Sequence, residues 1–217
     1  MILSKDWLFV HLQKCGGSFI ENYLLKNYKC ESLWPKHRGV TTVITQYADR
    51  LKFGVVRNPL SWYVSWWSAN TQAESTLFPN VFTEETKKDF NVFIHHLFSI
   101  DFSFQHDLDF SVISQGNIGV YTYRYLKSFC LDNMLLAITR PDGSFLMDKI
   151  IHQENLNEEL ADILNLGKRK KKKLMKMEAY HTSKHGGHMD FWDEDTLKLV
   201  KEKDRIIFER YYPEELI

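Results

Sequence analysis

Short apolar runs that stop at a charge or a pair of glycines set the rhythm of this chain. In "WLFVHLQKCGGSF" (residues 7–19) the apolar stretch is short, aromatic and β-branched, which predicts a buried strand over residues 7–12. Phe19, Tyr23 and Leu24 then return at helical spacing and predict a helix from residue 18 to about 26. "LKFGVVRNPLSWYVSWWSAN" (residues 51–70) repeats the plan. Residues 53–56 read as a strand, Arg57 and Asn58 as a turn, and Pro59 as a first helical residue, where proline is tolerated. Tyr63, Trp66 and Trp67 supply the apolar stripe of the following helix. Two strand–loop–helix units in succession predict an α/β domain with a mainly parallel sheet flanked by helices. Ligands in such sheets bind beyond the carboxyl ends of the strands, where Lys14 and Arg57 fall.

The rest of the chain is less periodic. Residues 84–99 read as a helix, "FSFQHDLDF" (residues 102–110) as a loop lined with rings and acids, and residues 117–130 as a helix rich in aromatics. A strand is expected near residues 149–152, then a helix from about 155 to 166 stopped by Gly167. "KRKKKK" (residues 168–173) and a Gly/His loop, "HTSKHGGHM", follow, and a last helix is expected from about 193 to 210. The length suits one domain over residues 1–217.

Composition narrows the partners. Lys plus Arg balances Asp plus Glu at 28 each, so no bulk attraction to nucleic acid or membrane is expected and any anion site must be local. Cys15, Cys30 and Cys130 are an odd, widely spaced set that gives neither a disulfide framework nor a metal spacing, which suits a reducing compartment. No apolar run approaches the length of a membrane span and no secretory pattern opens the chain, so the expectation is a cytoplasmic protein.

The first loop has the makings of an anion cradle. Glycines let backbone N–H groups approach an oxyanion, and a helix N-terminus adds partial positive charge. Lys14 supplies a full charge and Ser18 a hydroxyl. The order differs from the nucleotide-triphosphatase motif, in which lysine follows the glycines; here it precedes Gly16 and Gly17. The bland alternative is a tight turn with a snorkelling lysine. The second unit weighs against that: Arg57 closes its strand and Ser65 lies two turns into the next helix, so a guanidinium fork and a hydroxyl can grip one phosphate.

Together, "HLQKCGGSFIENYL" resembles the 5′-phosphosulfate-binding loop of the PAPS-dependent sulfotransferases (PAPS, 3′-phosphoadenosine 5′-phosphosulfate), and "FGVVRNPLSWYVSWW" resembles their 3′-phosphate-binding segment. "IIHQENL" and the stretch from "HTSKHGGHM" to "ERYYP" are similar to later blocks of that family, and the carbohydrate sulfotransferases are the branch most alike. The resemblance covers about two thirds of the chain and fades at about residues 71–148, which it implies is a variable acceptor-side region. It departs where the family's proline before the lysine is Gln13, its threonine is Cys15, its second arginine is Trp62 and its C-terminal asparagine is His181.

What the resemblance implies is a P-loop NTPase-like three-layer fold and a transferase that moves a sulfuryl group from PAPS to a hydroxyl acceptor, a carbohydrate by analogy. PAP (3′,5′-bisphosphoadenosine) would be the product, and no metal would be needed. Lys14 would meet the charge growing on the departing oxygen. The N–H groups of Cys15, Gly16, Gly17 and Phe19, with the Ser18 hydroxyl, would hold the 5′-phosphate; Arg57 and Ser65 would hold the 3′-phosphate. Thr182, Ser183 and Lys184 would close over the nucleotide. For the base that takes the acceptor's proton, His37 is the first choice and Glu21 the second, with His106 and Asp107 lower and His11 read as buried. The competing readings are a nucleotide or small-molecule kinase and a non-catalytic nucleotide-binding module. The basic run reads as a solvated face, and the three histidines of the Gly/His loop are not expected to hold metal.

Overall fold

The computed structural model describes residues 1–73, 75–100, 104–131, 134–177 and 187–216. In chain order the elements are β1 (Ile2–Ser4), β2 (Trp7–Val10), α1 (Gly17–Asn27), β3 (Cys30–Ser32), β4 (Leu51–Val56), α2 (Pro59–Thr71) and α3 (Phe90–Ser99). Next come β5 (Phe104–Gln105), β6 (Leu108–Asp109), α4 (Phe110–Gln115), α5 (Val120–Phe129), α6 (Met134–Thr139), α7 (Pro141–Ser144) and β7 (Lys149–His152). The remaining helices are α8 (Leu156–Ile163), α9 (Lys168–Leu174), α10 (Glu194–Lys203) and α11 (Arg205–Tyr211). Contacts group these into two compact units, Met1–Arg57 with Lys127–Thr182, and Asn58–Leu126 with Ser183–Ile217. No helix among the described residues is long and apolar enough to cross a membrane.

The first unit is built on a five-stranded sheet in the order β3-β1-β2-β4-β7. β2 pairs parallel with β4, and β4 parallel with β7. β1 is antiparallel to both β2 and β3, so four of the five strands run one way. All of β2 and most of β4 are buried, as expected of strands covered on both faces. On one face Trp7 meets Phe53 edge-on at 5.9 Å and Tyr28, just past α1, also at 5.9 Å. On the other, Phe129 lies over Gly54, and α8 packs beside β7. The carboxyl ends of β2, β4 and β7 therefore lie along one edge. β7 falls at the expected residues; β1 and β3 are too short and irregular to show in the sequence pattern.

α8 ends sooner than expected, and Gly167 does not stop it. Asn165 adopts a left-handed φ of 48°, and the Leu166 N–H bonds back to the Ala161 carbonyl at 2.9 Å, which closes the helix. Gly167 instead caps the start of α9, so the basic run is helical.

The second unit is an aromatic helical assembly. Trp62 stacks on Tyr121 at 4.7 Å, Trp66 meets Phe82 and Phe93 edge-on, and Arg124 lies over Trp66 and Phe78 while gripping Asp107 through two hydrogen bonds of 3.0 and 3.1 Å. Most rings of this region are thus core. The expected helix over 84–99 begins only at Phe90, because the Asp89 carboxylate caps it by accepting from Asn91 and Val92. The expected loop at 102–110 contains a short β5–β6 hairpin and the first residue of α4.

The expected final helix is broken at Asp204, which is wholly buried. Its carboxylate accepts from the Tyr63 hydroxyl and from the Thr122 N–H and hydroxyl, each at 2.7 Å. Burial pushes this carboxyl up to about 6, against the opposing pull of those donors. The folded pKa lies above the unfolded value, so the stability this group adds is full below about pH 4 and is lost as pH rises through about 6. The swing is on the order of 3 kcal/mol. Urea unfolding of wild type and Asp204→Asn between those pH values should show the wild type losing stability with rising pH relative to the variant. Parallel pH profiles would refute the assignment.

Candidate functional site: an anion cradle at the β2 and β4 strand ends

The chain leaves β2 through His11, Leu12 and Gln13 and turns at Lys14, whose φ of 62° is left-handed and unusual for a lysine. Gly16, with a φ of 76°, is left-handed too and caps α1. A side chain at Gly16 would be strained by that φ and would come within 2.9 Å of Leu156 Cδ2, so the start of α8 presses on the loop. At Gly17 a Cβ would fall 1.9 Å from His11 Nε2. Gly16 is required by conformation and by space, Gly17 by space alone.

Left-handed residues turn successive N–H groups toward one side and form a concavity suited to anions. Among the described residues, no protein acceptor takes the N–H groups of Gly16, Gly17 or Ser18. The Phe19 N–H, expected to face a phosphate, instead donates to the Gly16 carbonyl at 3.0 Å, because the first turn of α1 closes tightly on its cap. The Cys15 thiol is fully buried and donates to the Gln13 carbonyl at 3.4 Å, so the side chain tightens the loop from inside.

Arg57, directly after β4, donates from Nη1 to the Lys14 carbonyl at 3.2 Å and fixes that strained turn. An ammonium-bearing residue and a guanidinium are thereby held together at the ends of adjacent parallel strands. Burial lowers the Lys14 pKa, and the neighbouring Arg57 charge lowers it further. No salt bridge to Lys14 occurs among the described residues. Two cations crowded beside unused N–H donors at a helix N-terminus form an environment that an anion would relieve.

Near this loop stand two histidines. His11 is buried, lies 5.8 Å from the Phe9 ring, and meets the His37 ring edge-on at 4.5 Å. Burial, then the nearby His37 and Lys36 charges, hold His11 well below its ordinary pKa, so it is neutral. His37 is exposed, and its Nδ1 lies 3.2 Å from the His11 carbonyl. A carbonyl only accepts, so this bond puts the proton on Nδ1 and the basic lone pair on Nε2. His11 thus supports both α1 and His37, a double role its position in an apolar run did not reveal. Glu21, the second candidate base, instead forms an ion pair with Lys36 at 2.5 Å and accepts from Ser32 at 3.4 Å.

Ser65 belongs to the second unit, where it is buried on α2. Its helix starts as expected, with Pro59 at N1 and the Asn58 side chain accepting from Leu60 and Ser61. His106 and Asp107 are in the second unit as well, Asp107 committed to Arg124. Thr182, Ser183 and Lys184 lie outside the described residues, as do His181 and His185 of the Gly/His loop. No group of three or more His, Cys, Asp or Glu suited to a metal occurs among the described residues. No family model, curated protein or solved structure matches the chain.

Proposed function

We propose that the chain is a PAPS-dependent sulfotransferase that moves a sulfuryl group to a hydroxyl acceptor, with carbohydrate as the acceptor class, on a P-loop-like three-layer fold in the cytoplasm. One observation carries this reading. The Lys14 loop and Arg57 meet at the ends of adjacent parallel strands, bonded at 3.2 Å, around the N-terminus of α1. Lys14, Gly16, Gly17, Ser18 and Arg57 resemble the sulfotransferase loops, and the geometry suits a polyanion.

The residues then divide the work. The N–H groups of Cys15, Gly16, Gly17 and Ser18, with the Ser18 hydroxyl, bind the 5′-phosphate. Arg57 binds the 3′-phosphate, the group that separates PAPS from ATP; the share of Ser65 rests on the resemblance alone. In the transfer, the acceptor oxygen forms a bond to sulfur as the bond from sulfur to the bridging oxygen breaks. The electron pair goes to the 5′-phosphate of PAP, beside the Lys14 ammonium, where a cation lowers the barrier more than it tightens ground-state binding. The acceptor's proton goes to His37 Nε2. The ion pair to Lys36 disfavours Glu21 for that task.

Loss of a charge-assisted hydrogen bond costs about 1.5–3 kcal/mol. Arg57→Ala is therefore expected to weaken PAP binding by about ten- to a hundredfold, as read by calorimetry. Unchanged affinity would take Arg57 out of the site. In thermal shift, PAP should raise the melting temperature and ATP with magnesium should not; the reverse order would favour a kinase. PAP binding with no release of PAP from PAPS, over a panel of hydroxyl acceptors, would indicate a binding module.

A further inference from the structure

The six consecutive cations of α9 play no part in the site above. Like charges three or four residues apart on a helix repel, and Lys168/Lys171, Lys168/Lys172, Arg169/Lys173 and Lys170/Lys173 are all so spaced. Left to itself this run would not favour a helix. The fold holds it in one. Leu174 is fully buried, and Asn157 Nδ2 donates to the carbonyls of Leu174 and Met177, both at 3.3 Å. Lys171 pairs with Asp162 at 2.8 Å. Among the described residues no ion pair involves Lys168, Arg169, Lys170, Lys172 or Lys173, and all five are exposed. A chain with balanced charge overall therefore carries one dense cationic face, fixed against its own repulsion.

We infer that α9 is an electrostatic docking surface for anionic lipid bilayers. Five of its six cations are lysines, compact charges that place little demand on geometry and suit laterally mobile headgroups. A surface for nucleic acid would be expected to interleave rings for base stacking, and residues 168–177 contain none. Met175, next to the buried Leu174, is 49% exposed and offers an apolar side chain to the headgroup layer. Basic clusters of this size attract acidic membrane surfaces by roughly 1 kcal/mol per cation near the surface, within a Debye length.

The test is sedimentation of the whole protein with phosphatidylserine-rich vesicles, phosphatidylcholine vesicles and single-stranded RNA at about 0.15 M salt. The protein should pellet with the anionic vesicles alone, and more salt should release it. The triple variant Lys170→Gln/Lys172→Gln/Lys173→Gln should lose about a hundredfold in vesicle affinity. The matching triple lysine-to-arginine variant should bind as wild type. Circular dichroism should show the glutamine variant keeping its helix, because the repulsion relieved offsets the favourable placement of Lys172 and Lys173 in the last turn. No binding to anionic vesicles, equal binding by the glutamine variant with its fold intact, or tighter binding to RNA would overturn the inference.

Discussion

Replacing Gly17 with alanine is expected to destabilise the first unit by about 3 kcal/mol or more and to abolish PAP binding. The new Cβ would stand 1.9 Å from His11 Nε2 and 2.0 Å from Cδ2, far inside contact distance. His11 has little room to withdraw, since it is buried between the Phe9 and His37 rings. Either the imidazole is expelled or the start of α1 lifts away, and both routes scatter the N–H groups of the cradle. Urea unfolding and calorimetry with PAP read the two effects separately. A second variant identifies the cause: His11→Ala makes space, so His11→Ala/Gly17→Ala should be less destabilised relative to His11→Ala than Gly17→Ala is relative to wild type. If alanine at position 17 leaves stability unchanged, the close approach of the two residues is wrong.

Lys14→Met should separate catalysis from stability. In the proposed transfer, loss of the ammonium leaves nothing cationic from this side chain to meet charge on the departing oxygen, and turnover should fall by about a hundred- to a thousandfold. PAP affinity should fall far less, because Arg57 and the loop N–H groups remain. The ligand-free variant should unfold at equal or higher urea than wild type. Burial and Arg57 already disfavour the Lys14 cation, so removing it relieves a cost of the empty fold. Equal losses in PAP affinity and turnover would mean that Lys14 only binds.

The parts of this architecture visible in the sequence are those set by neighbours a few residues away. β4 and α2 are announced by an apolar run, then Arg57, Asn58 and Pro59, and α2 starts at Pro59 as that order predicts, with the Asn58 side chain capping it. β7 likewise sits where its apolar residues do. The features that were not visible depend on distant partners. The left-handed turn at Lys14 is held by Arg57, and nothing in lysine itself favours it. The break at Asp204 exists because Tyr63 and Thr122 draw its carboxylate inward. The resemblance points to His37, but its tautomer is set by the His11 carbonyl, which no local pattern shows. Glu21 has a helical position compatible with a cleft, yet Lys36 claims it. The aromatic segment gave no acceptor chemistry because its rings pack on one another.

Leu156, whose side chain occupies the space that a Cβ at position 16 would need, is synthesised long after the glycine loop. A nascent chain that has just emitted the glycine loop and β4 still lacks the element that braces the loop from its far side. Until β7 adds to the growing sheet and α8 follows, the turn that Arg57 holds lacks its brace at Gly16. On the proposed function, capture of PAP should therefore lag behind translation of the loop itself.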